Sequence, residues 1–78
     1  MKNNIIGYFV DKNEEKTPST IFVAINEISD TKGNITSYCP IGQHSSLSKK
    51  YLKECVKISK NEYIDCSKGI YTPEEYLT

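Results

Sequence analysis

Apolar residues cluster in the first half of the chain and thin out in the second. Ile5 to Val10 (Ile-Ile-Gly-Tyr-Phe-Val) is rich in β-formers and stops at a polar cluster, which predicts a first strand. Asp11 to Ser19 carries no hydrophobic side chain except the ring of Pro18, so it reads as a solvated connection, longer than a tight hairpin needs. Thr20 to Ile28 predicts a second strand. Its run Ile21-Phe22-Val23-Ala24-Ile25 is continuous rather than alternating, as expected where both faces of a sheet are covered. Ser29 to Asn34 is a turn, with Gly33 and Asn34 suited to positive φ. Ile35 to Ile41 then alternates, with Ile35, Ser37, Cys39 and Ile41 on one face and Thr36 and Tyr38 on the other. The economical arrangement is an antiparallel meander with the second strand central.

From Leu47 onward the pattern changes to repeated helix starts. An apolar residue just before an N-cap often packs on another five positions later, and a Ser or Thr cap is often answered by Glu three residues on. Leu47, Ser48 and Leu52 take those places. Ile58, Ser59 and Tyr63 repeat them, with Glu62 closing a capping box. Tyr71, Thr72 and Tyr76 do so again, with Pro73 at the first helical position and Glu75 closing the box. These starts predict short helices at about 49–55, 60–67 and 73–77. Helices so short do not persist alone in water and must dock on the sheet. Val56-Lys57-Ile58 alternates and fits a fourth strand equally well.

The predicted fold class is therefore α+β: a small antiparallel sheet of three strands, or four with Val56–Ile58, and two or three short helices packed on one face. Residues 1–78 form one small domain, a β meander over 1–41 followed by capped helices over 42–78.

Composition narrows the function classes. Ten lysines balance ten acidic residues and arginine is absent, so neither net charge nor the guanidinium fork points to nucleic acid. No apolar span reaches membrane length, and the N-terminal run is too short for a signal-peptide core, which predicts a cytoplasmic protein. Three cysteines, an odd number, suit reduced thiols better than a disulfide framework. Asn34-Ile35-Thr36 fits the glycosylation pattern but reads as a turn entering a strand.

Chemistry-bearing residues concentrate between Tyr38 and Ser48, which hold the only histidine. Cys39, His44, Cys55 and Cys66 supply zinc-ligand types, but the spacing C-x4-H-x10-C-x10-C lacks the close pairs of known zinc patterns, and buried structural thiols are the preferred reading. Cys39 with His44 as nucleophile and base lacks an orienting carboxylate nearby, so no catalytic residue is assigned. Gly42 to Ser46 precedes a predicted helix start, where free N–H groups can hold an anion; serines capping the helix are the plainer account. Lys49, Lys50, Lys53 and Lys57 form a basic run, with Lys49, Lys53, Lys57 and Lys60 on one face only if the helix continues that far. With Tyr51 among them, single-stranded nucleic acid is an alternative ligand, against a solvated helix face as the commoner meaning.

Gly42-Gln43-His44-Ser45, followed by Ser48, Tyr51, Cys55 and Ser59-x-x-Glu62-Tyr63, resembles a family of short proteins of gut-community bacteria and their phages or mobile elements. The resemblance covers about residues 36–63 and implies a bacterial or phage setting; it carries no activity with it. The chain departs from that pattern by ending in the short segment Gly69 to Thr78 where the family has a longer helix.

The expectation is a non-catalytic accessory or regulatory module that needs no cofactor. It would bind another protein, or a second copy of itself, through a strand edge or the stretch Tyr38, Gly42, Gln43, His44 and Ser45. Metal binding and nucleic-acid binding are the alternatives, and no membrane is involved.

Overall fold

The computed structural model describes residues 4–26, 33–42 and 44–77. The described residues form five strands: β1 (Asn4–Val10), β2 (Ile21–Asn26), β3 (Asn34–Tyr38), β4 (His44–Ser48) and β5 (Val56–Ile58). They make one sheet ordered β4-β3-β2-β1-β5, with every neighbouring pair antiparallel. A one-turn helix, α1 (Lys49–Leu52), precedes β5. A longer helix, α2 (Lys60–Cys66), and a 3₁₀ turn (Glu74–Tyr76) follow it.

The central position of β2 follows from its sequence. Ile21, Val23 and Ile25 face one side, Phe22 and Ala24 the other, and all five are buried. On the first side they join Tyr8, Val10, Tyr38 and Ile58 under Tyr63 of α2 and Tyr76 of the 3₁₀ turn. On the second side Phe22 and Ala24 join Phe9 and Ile35, covered by Leu47, Leu52 and Cys55. Fully burying an aliphatic side chain contributes about 1.5–3 kcal/mol, so Ile21, Val23, Ile25 and Ile35 are major sources of stability.

This overturns the expected sheet of three or four strands with helices on one face. Among the described residues there are five strands, and only α2 is a helix of more than one turn. The covering elements lie on both faces: α2 and the 3₁₀ turn on the tyrosine side, Leu52 of α1 on the phenylalanine side. β5 confirms the strand alternative at Val56-Ile58. β4 was unforeseen for a physical reason: His-Ser-Ser-Leu-Ser contains one apolar residue, and an edge strand pairing on one side only needs no hydrophobic pattern.

The helix starts fare unequally. Ser48 caps α1, its Oγ accepting from the Tyr51 amide at 3.0 Å. Ser59 and Glu62 form the full capping box of α2. α1 stops at Leu52, short of residue 55, because the Glu54 and Cys55 amides donate to Tyr51 and Leu52 in tight turns that reverse the chain into β5. The third start fails. Thr72 is buried with its hydroxyl turned inward to the Tyr63 phenol at 3.1 Å, Pro73 takes the cap position without a side-chain bond, and Tyr71 is 74% exposed.

Strand β3 ends at Tyr38, short of Ile41. Pro40 has no amide to donate, and the Gly42 amide donates to the Cys39 carbonyl at 2.8 Å in a turn that places Gly42 at φ +91°. Gly33 takes a positive φ as expected, whereas Asn34 opens β3. The rest of that turn, Ser29 to Lys32, and the end of the second predicted strand lie outside the described residues. Among the described residues, no helix is long and apolar enough to cross a membrane.

Candidate functional site

The Pro40–Gly42 turn sends the chain back alongside β3 as β4, so the chemistry-rich stretch becomes one rim of the sheet. Lys49 extends this ladder by donating its amide to the Gly33 carbonyl at 2.9 Å. In an antiparallel ladder, bonded and non-bonded pairs alternate. Lys49–Gly33, Leu47–Ile35 and Ser45–Ser37 are therefore the bonded pairs, which among the described residues leaves the amides and carbonyls of His44 and Ser46 and the amide of Ser48 facing outward, while the Ser48 carbonyl serves the first turn of α1. Pairing of this kind is available to any extended chain that arrives.

The opposite rim differs. β5 is three residues long and carries Lys57 at its centre, its aliphatic stem lying over Gly7 of β1. Short length and an edge lysine are ordinary protections against unwanted strand pairing. β4 is five residues long and holds no lysine and no carboxylate.

Side chains of β4 alternate between the two faces, which divides the predicted binding stretch. Tyr38 and His44 are direct cross-strand partners on the tyrosine face, ring centroids 4.8 Å apart. His44 Nε2 and the Tyr76 hydroxyl share a hydrogen bond at 3.0 Å, and the Tyr38 and Tyr76 rings stack at 4.8 Å. The Tyr8 hydroxyl donates to the Tyr76 carbonyl at 2.8 Å, so the 3₁₀ turn is clamped to the sheet from two sides. His44 is thus a brace for the C-terminal turn at the rim of a tyrosine cluster. Tyr76 is the member the sequence concealed, being 32 residues away from its partner.

Ser45 points to the other face. There a groove of about 200 Å³ is lined by residues that include Asp11, Phe22, Ser37, Cys39, Ser45 and Leu47. The Cys39 thiol donates to the Pro18 carbonyl at 3.1 Å, and burial pushes its pKa up, with the Asp11 carboxylate adding to the shift. A thiol held protonated is a poor nucleophile. His44 and Cys39 therefore serve opposite faces, and the pair is not assembled. Gln43 lies outside the described residues; Gly42 forms the turn.

The four zinc-ligand types are not gathered either. Cys55 packs against the phenylalanine-side core, Cys66 against the tyrosine side, and the sheet separates them. Among the described residues no group of three or more His, Cys, Asp or Glu side chains is placed to hold a metal. The anion-loop geometry is absent as well, because His44 to Ser48 is a strand. The lysine run is divided between two elements: Lys49 and Lys50 on α1, with Lys53 capping it, and Lys57 on β5. Lys60 begins α2 and donates to the Leu77 carbonyl at 3.1 Å. The continuous helical face on which a basic stripe depended does not form.

A second hollow of about 230 Å³ lies between the end of α2 and the C-terminal segment, lined by Tyr63, Ile64, Ser67, Ile70, Thr72 and Leu77. Ile64 and Ile70 are partly exposed beside it, with Tyr71 next in the chain. Comparison with protein-family models, curated proteins and solved structures finds no match to this chain.

Proposed function

We propose that this chain is a non-catalytic binding module that takes up an extended segment of a partner protein as an additional strand along β4. The observation that carries this reading is the set of outward amides and carbonyls at His44 and Ser46, with the Ser48 amide, on a five-residue edge that holds no lysine and no carboxylate. Main-chain bonds of an added strand supply affinity, and pockets beside alternate side chains supply selectivity. The groove next to Ser45 and Leu47 fits that second role, because every other residue of an added strand faces it. The three free thiols, each half-buried, fit the reducing cytoplasm.

The test uses a library of linear peptides displayed on phage, selected against the wild-type chain and counter-screened on Ser46→Pro. Proline removes one outward N–H without touching the β3 bonds. Peptides that bind the wild type, shift the backbone amides of residues 44–48 in NMR spectra and lose at least about tenfold in affinity on Ser46→Pro are expected. Peptides binding both chains equally would overturn the reading.

A further inference from the structure

We infer that one occupant of the β4 edge is β4 of a second copy, joined about a two-fold axis through Ser46 so that the two sheets become one. This inference rests on β4 being the open binding edge. The outward positions His44, Ser46 and Ser48 are symmetric about Ser46. An antiparallel partner centred there sets Ser46 against Ser46 and His44 against Ser48, so that each Ser46 amide meets the other copy's Ser46 carbonyl and each Ser48 amide meets a His44 carbonyl. A two-fold interface requires this kind of self-complementarity.

Charge separates the two rims of the sheet. The same operation on β5 would bring Lys57 against Lys57, and like charges directly opposite each other destabilise a strand pair. On β4 it opposes two serine hydroxyls. Lys49 and Lys50 lie in α1, past the end of the strand, so no lysine meets a lysine within the ladder.

Side chains add a second argument. In this register Ser45 stands opposite Leu47 of the partner, on the face that carries the groove. The facing positions form a non-bonded pair in which side chains approach closely. The partner's half-buried Leu47 then closes the groove beside Ser45, and each copy does the same for the other. One strand pair plus two leucines covers less than the roughly 1,200 Å² of a stable complex, so the dimer is reversible, with Kd of about 10–1,000 µM.

Sedimentation of the full chain from about 5 to about 1,000 µM tests this, together with Ser46→Lys and Ser46→Glu. The exposed Ser46 side chain packs in neither core, so both variants should keep the wild-type circular dichroism and unfolding midpoint. The wild type is expected to move from monomer toward dimer. Each variant alone should associate at least about tenfold more weakly, and an equimolar mixture should recover association through Lys–Glu pairing across the axis. A wild type that stays monomeric throughout, or variants that associate as the wild type does, would overturn self-pairing. The peptide selection would still decide separately whether β4 is a binding edge.

Discussion

Tyr63 shows how much a single side chain carries here. It is fully buried in the tyrosine-side core, its ring 5.2 Å from Tyr8 and its hydroxyl shared with Thr72, itself buried. Burial pushes the phenol up to about 12, against an ordinary value of 10. Because the folded pKa lies above the unfolded one, the stability is complete below pH 10 and is lost as pH rises from 10 to about 12. The loss totals up to about 3 kcal/mol, and Tyr8, also shifted upward by burial, adds in the same direction. Urea unfolding at neutral and alkaline pH checks this. Tyr63→Phe should cost about 1–3 kcal/mol at neutral pH, by stranding the Thr72 hydroxyl, and should show a shallower alkaline loss than the wild type.

Among elements, α2 is the one whose local signals and tertiary packing agree. Ser59 accepts from the Glu62 amide at 3.0 Å, Glu62 reaches back to the Ser59 amide at 3.3 Å, and Tyr63 anchors the helix in the core. Ser59→Ala should destabilise the chain by about 1 kcal/mol in thermal or urea unfolding. Lys16, across an exposed 2.6 Å ion pair, and the Ser59 amide hold the Glu62 carboxyl below its ordinary pKa. The contribution of the ionised carboxylate is therefore lost as pH falls through that lowered value. Lys16→Met should move the loss to higher pH, read from the Glu62 side-chain carbon in an NMR titration. α1 and the 3₁₀ turn lack this agreement, each being one turn long and held by what it covers.

At the scale of the molecule, one sheet serves two cores. Phe9, Phe22, Ala24 and Ile35 pack on one side, and Val23, Ile25 and the tyrosines pack on the other. Ile21→Val and Ile35→Val remove a methylene from opposite faces at distant points of the sheet. Each should cost about 0.5–1.5 kcal/mol, and the double variant should equal the sum to within about 0.5 kcal/mol. Because both cores share the strands, far- and near-ultraviolet signals should still fall in a single transition. Two separated transitions would show that the faces unfold independently.

Strands β1 and β2, the centrality of β2 and the capped start of α2 were legible in the residues themselves. Continuous apolar runs and a Ser-x-x-Glu box act through neighbours a few positions away, and such rules hold wherever the chain goes. The stretch from Tyr38 to Ser48 was legible as a concentration of chemistry-bearing residues, but not as an edge strand. Its form was decided by contacts remote in sequence. β4 is a strand because β3 offers it a ladder, since His-Ser-Ser-Leu-Ser has little pattern of its own. His44 is a brace because Tyr76 folds back onto it, and Cys39 is quiet because the Pro18 carbonyl and burial keep its proton. Local sequence determined which segments carried intrinsic structure. Only the tertiary fold, by pairing a polar segment with β3 on one side, made His44 to Ser48 a strand at the sheet's rim.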